Sequence, residues 1–190
     1  MKHTATLLSA IALLAACSGE PITTESAAGF QPRVAESQSF GADVNKDLAV
    51  LRQVTAPYHE FQTASNAGWS AQITPCMTDP GGAGGMGFHY GNTRFIDGTA
   101  SVDKPQLLLY EPEKNGKLRL VAVEFIIPYT FHARSAAPPR LFNQPFQQVD
   151  VFQLWGLHAW VWKENPSGMF ASWNPAVDCK NTKIVASMSH

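Results

Sequence analysis

Three polar side chains, His89, Glu124 and His158, lie in stretches that are otherwise apolar or glycine-rich. Two imidazoles and one carboxylate are what a facial metal site requires: three donors on one side of an ion, with its other positions open. Neutral imidazole and carboxylate suit Fe(II), Zn(II), Mn(II) or Cu(II), so the cofactor they imply is one divalent transition metal. Glu124 makes the strongest demand. It sits in Leu118–Pro128, whose alternating faces are Leu118, Leu120, Ala122, Glu124, Ile126 and Arg119, Val121, Val123, Phe125, Ile127. Beyond Arg119 both faces are apolar, and the pattern predicts a strand covered on both sides. A carboxylate buried there without a partner costs several kcal/mol or takes up a proton, so it calls for a metal, a cation or a hydrogen-bond donor.

The two histidines fall on other strand candidates. In Phe152–Trp162, His158 shares a face with Phe152, Leu154, Gly156, Trp160 and Trp162. In Met86–Tyr90, His89 is flanked on its own face by Gly87 and Gly91, small neighbours that leave room around an imidazole. His59, at the margin of a helical apolar stripe, is a candidate fourth group. The trio also fits a metal-free site in which a carboxylate orients a histidine as general base. A third arrangement is a satisfied core network, each histidine bonded to a backbone carbonyl and Glu124 paired with Arg94, Arg119 or Arg140. These correspond to a protein binding a metal or small ligand, an enzyme (with metal, a hydrolase or an oxygen-using one) and a structural envelope protein.

Other chemistries are disfavoured. Gly82, Gly84 and Gly87 formally match Gly-x-Gly-x-x-Gly, but no hydrophobic strand precedes them and no helix follows, so NAD is not expected. A Gly-Lys-Ser/Thr ending is missing, so neither is ATP. No Gly-x-Ser-x-Gly elbow is present. With 14 Lys and Arg against 15 Asp and Glu and no basic run, nucleic acid is not an expected partner. Trp155 and Trp160 face opposite ways on their strand, which favours core packing over a shared stacking platform.

The positioning elements follow from periodicity. Asp43 is a good N-cap for a helix whose stripe is Val44, Leu48, Leu51, Val54, Tyr58 and Phe61, kinked or split at Pro57 and ended by Gly68. Ile73–Gly87 reads as a turn-rich, glycine-laden segment. Strands are expected at Met86–Tyr90, Gln106–Tyr110, Leu118–Ile127 and Phe152–Trp162, with Asn115-Gly116 as a hairpin turn. Tyr129–Gln148 has no clear period and is long enough to be a lid, or else an irregular loop held by Phe142 and Phe146. The expected fold is α+β, the helix packed on a curved, mostly antiparallel sheet of four or more strands with the pocket between them. A ferredoxin-like sandwich or small β-barrel is the alternative.

The chain opens Met1-Lys2-His3, then an apolar run from Leu7 to Ala16, then Cys17. This predicts a secretory signal over 1–16 rather than a membrane span. Leu14-Ala15-Ala16-Cys17 resembles a bacterial lipobox, which implies cleavage before Cys17 and a lipid anchor on its sulfur. The alternative is an ordinary secretory signal with an incidental cysteine. With Ser18 next, the resemblance to envelope lipoproteins implies the outer rather than the inner membrane. Residues 17–41, rich in Ser, Thr, Ala and Glu, read as a flexible tether, and 42–190 as one domain. The expected location is the cell envelope, with the domain facing the periplasm or the exterior. There, Cys76 and Cys179 read as one structural disulfide, the alternative being two thiolate ligands.

Several short runs are distinctive. They are Tyr58-His59, Gly84–Tyr90, Leu109–Pro112, Leu118–Phe125, Leu141–Phe146, Leu157–Trp162, Asn165–Phe170 and Trp173–Pro175. Through them the chain from Tyr58 to Cys179 resembles a family of uncharacterised secreted bacterial proteins. The resemblance implies an envelope setting and a single-domain layout, and carries no reaction. Gly91-Asn92-Thr93 stands where that family usually has Val-Asn-Pro, and Asn143 where it has glycine.

Overall fold

The computed structural model describes residues 39–182. The signal, Cys17 and most of the tether therefore lie outside the described residues. Helix α1 (Ala42–Thr55) buries Val44, Leu48 and Leu51, three positions of the expected stripe. Pro57 has no N–H to continue the ladder, and the helix is split rather than bent: a single 3-10 turn at Ala56–His59 leads into α2 (Phe61–Asn66).

The strands are β1 (Ala71–Thr78), β2 (Gly85–Gly91), β3 (Leu107–Pro112), β4 (Leu118–Pro128), β5 (Arg140–Leu141), β6 (Gln144–Pro145), β7 (Gln147–Val149) and β8 (Leu154–Ala159). Six of them form one antiparallel sheet in the order β1-β2-β3-β4-β8-β7, curved into a half-barrel, and β5 and β6 make a separate hairpin. The arrangement is α+β, as the element order predicts, and is neither a ferredoxin-like sandwich nor a closed barrel. β3 and β4 are joined through Asn115-Gly116, where Gly116 takes a φ of 78°.

Three expectations are corrected. Ala71–Thr78 is a strand, not part of a turn-rich segment; Pro75 is tolerated because β1 is the sheet edge and its pairing with β2 is broken by register shifts. The last long strand is shorter than Phe152–Trp162, because a 3-10 turn at Asp150–Phe152 precedes it and Trp160 onward leaves the ladder. Tyr129–Gln148 is not wholly irregular: it holds the β5–β6 hairpin, turned through Phe142 and Asn143 at φ 52° and 57°, and leads into β7.

β4 carries a bulge. Leu109 pairs with Ala122 and Tyr110 with Leu120, leaving Val121 as the extra residue. The bulge reverses the alternation, so Leu118 and Leu120 do not share a face with Glu124. Leu120, Val123, Phe125 and Ile127 pack with α1, together with Phe88, Tyr90, Leu108, Tyr110, Trp155 and Leu157. On the opposite face a second core gathers Leu107, Leu109, Ala122, Ile126, Trp160 and Val177. The C-terminal tail closes this face. Gly85 and Asn174 exchange backbone hydrogen bonds of 3.0 Å, and a Cβ on Gly84 would collide with the Asn174 carbonyl oxygen. Cys76 on β1 and Cys179 in the tail form the expected disulfide, with Cα atoms 5.8 Å apart.

Candidate metal centre

His89, Glu124 and His158 come together on the face opposite the helices. Glu124 and His158 are direct partners across the β4–β8 ladder. His89 reaches them from β2, across β3. On a flat sheet β2 and β8 would be about 14 Å apart, three interstrand spacings. The His89 and His158 ring centroids are 6.2 Å apart, so the two side chains converge over β3 and β4 on the face away from the helices. The expected pocket between helix and sheet is therefore not where the trio lies.

His89 Nε2 is 3.5 Å and His158 Nε2 3.9 Å from Glu124 Oε2, and one donor atom from each of the three lies within 4.8 Å of the others. Two donors about 2.0–2.1 Å from one tetrahedral ion are themselves about 3.3–3.4 Å apart, so His89 and Glu124 already stand near that spacing and His158 would have to draw closer. All three residues are buried. Burial lowers His89 to a pKa of about 4; burial and then neighbouring His89 lower His158 to about 3. Burial raises Glu124 to about 8. Left to itself, the cluster favours three uncharged groups. A dication reverses the preference at Glu124 and uses the histidines in the neutral form that burial enforces.

Two features separate the alternatives. His158 Nε2 is buried and, among the described residues, has no hydrogen-bond partner, which a satisfied core network would supply. The arginines considered for Glu124 lie elsewhere: Arg94 and Arg140 donate to the carbonyls of Ala67 and Asn143, and Arg119 is exposed near the start of β4, opposite Glu111 in the ladder. The metal-free general base also fits poorly, since histidines with pKa values of about 3 and 4 are weak bases.

The surroundings orient the donors. Thr74 Oγ1 lies 2.7 Å from His89 Nδ1, its cross-strand neighbour on β1. In the tautomer that metal binding uses, His89 Nδ1–H donates to Thr74 and the Nε2 lone pair faces Glu124. Trp160 stacks parallel to the His158 ring at 6.1 Å, held by an Nε1–H bond to the Ala171 carbonyl. A Cβ on Gly156 would stand 2.8 Å from Glu124 Oε1, so a larger residue there would push the carboxylate from this position. Beside His89, the room expected at Gly91 is already filled by Ile73 and Leu107. Thr74 is the residue that the sequence reading missed; an alternating Gln72, Thr74 ahead of Pro75 was its one signal.

His59 does not join the group. It is exposed on the helix face, its ring 4.3 Å from Trp162, beside a cleft of about 770 Å³. That cleft is the larger one, but among the described residues the clustered metal-type donors lie in the other cavity, of about 440 Å³. His89, Glu124 and His158 line it with Thr74 and the side chains of Ile73, Met86 and Leu107.

Trp155 and Trp162 pack on the helix side and Trp160 on the other, so the tryptophans form no common platform. Comparison of the chain with known proteins finds no matching family model, no matching curated protein and no matching solved structure.

Proposed function

We propose that this protein holds one divalent transition metal through His89, Glu124 and His158 and presents it at the floor of a pocket. The observation that carries the reading is the buried Nε2 of His158, without a hydrogen-bond partner among the described residues, beside a buried carboxyl group that a dication would hold ionised. Metal analysis of the purified chain tests it. One equivalent is expected in the wild type and a fall to background in Glu124→Gln and His158→Ala. Substoichiometric metal in the wild type that neither substitution changes sinks the proposal.

The setting is part of the proposal: a lipoprotein of the bacterial envelope, anchored at Cys17. Its support is the Leu7–Cys17 run and the Cys76–Cys179 disulfide, which suits an oxidising compartment. Among the described residues no helix is long and apolar enough to cross a membrane. Labelling with a radioactive fatty acid tests the anchor; label retained in Cys17→Ser would refute it.

A catalytic role is the second reading, favoured by the cavity over the three donors. In it a metal held by His89 and His158, with Glu124 as further ligand or as base, would supply Lewis-acid activation of water or oxygen. Turnover of oxygen or of a chromogenic ester by the metal-loaded chain, absent in His158→Ala, would distinguish an enzyme from a binder.

A further inference from the structure

We infer that the cavity above the three donors takes an apolar organic molecule with a single anionic oxygen, a monocarboxylate being the simplest class, whose oxygen completes the metal's coordination. This rests on the proposed metal site and names what that site would bind.

Charge makes the first argument. A dication, the Glu124 carboxylate and two neutral imidazoles sum to one positive charge in a cavity walled largely by apolar side chains. One negative oxygen on the ion cancels it. Among the described residues no Lys or Arg lines the cavity; its other polar groups, Thr74, Gln147, Gln148 and Ser172, are neutral. A second anionic group on the ligand would therefore be desolvated without a cation to meet it, which is strongly unfavourable.

The rim makes the second. Among the described residues the large apolar side chains left exposed are Ile73, Phe131, Val151 and Phe152, and three of these four line this cavity. Val151 is 82 % exposed, a cost that an entering apolar body would relieve. The volume of about 440 Å³ falls within the range of small-molecule sites.

The test uses the full chain loaded with Co(II), whose visible spectrum reports ligation at the ion. Pentanoate and octanoate are expected to perturb that spectrum, octanoate binding at least tenfold more tightly than pentanoate. Glutarate, with the same five carbons as pentanoate and a second carboxylate, is expected to bind at least tenfold more weakly than pentanoate. Phe152→Ser should weaken octanoate severalfold while the cobalt content stays at one equivalent. Glutarate binding as well as pentanoate overturns the charge argument, and a lack of dependence on chain length overturns the apolar one. If cobalt binds and octanoate leaves its spectrum unchanged, this inference fails and the metal site stands. If cobalt does not bind, both fail.

Discussion

Glu124 and Gly156 are fitted to one another across the β4–β8 ladder: Glu124 Oε1 occupies the space that a Cβ at position 156 would need, 2.8 Å away. Gly156 itself pairs with Ile126, two residues along from the Glu124–His158 pair and on the same face. The glycine is thus a condition for seating the carboxylate beside His158.

Gly156→Ala is therefore expected to act on the site as well as on the fold. The added methyl also meets Val149 Cγ2 at 3.2 Å, so both neighbours must shift. Overpacking of this kind costs about 1–3 kcal/mol. Denaturant titration measures that loss, and metal competition measures the expected fall in affinity. An alanine variant with wild-type affinity would show that Glu124 is not a ligand in this rotamer.

Thr74 offers a cleaner separation of positioning from ligation. Thr74→Val keeps the β-branched shape on β1 but removes the oxygen 2.7 Å from His89 Nδ1. Loss of such an outer partner lowers metal affinity about 10–100-fold. Thr74→Ser, which restores the hydroxyl, should recover most of it. Equal affinities for the valine and serine variants would remove Thr74 from the site.

How much of this was legible in the sequence depended on the reach of the signals. Glu124 stood out because a carboxylate among aliphatics violates a local pattern, and His158 likewise stands in an apolar and aromatic run, although β8 ends one residue beyond it. The Asn115-Gly116 hairpin and the α1 stripe are local signals too. The bulge at Val121 was hidden: nothing in Leu118–Pro128 marks an extra residue, yet it moves Leu118 and Leu120 to the helix face. Pro75 and the glycines after it masked β1, and Thr74 with it. Which face of the sheet the helices cover is set by long-range packing. The alternation that groups His89 away from Phe88 and Tyr90 could not say which side α1 would take.

The disulfide is expected to stabilise the face that holds the site. Cys76 and Cys179 are 103 residues apart in sequence, and closing a loop of that length contributes about 4–5 kcal/mol in the chain-entropy model. Breaking it frees the tail, which contributes Val177 to the second core and Trp173 to the cavity wall. Cys76→Ser/Cys179→Ser should lose a few kcal/mol in denaturant titration and bind metal more weakly. Thiol labelling of both cysteines in the native, unreduced protein would refute the bond itself.

Stability without metal should depend on pH in a direction opposite to metal affinity. Burial raises Glu124 from 4.5 to about 8, so between those values the folded chain holds a proton that the unfolded chain has released. Stability from this group is complete below pH 4.5 and is lost as pH rises towards 8. The lowered histidines act on the other side: unfolding takes up their protons below 6.5, so stability falls as pH drops towards 4 and 3. From pH 6.5 to 8 the Glu124 contribution dominates this cluster, at up to about 1.4 kcal/mol per pH unit. Metal binding must displace the same proton, so affinity rises over that interval and levels off above about pH 8. Denaturant titrations at pH 6.5 and 8, with metal and with chelator, check both limbs. In chelator the wild type should lose stability over the interval and Glu124→Gln, which has no proton to release, should not. A chelated wild type as flat as the glutamine variant would mean that Glu124 is already charged and paired before any metal arrives.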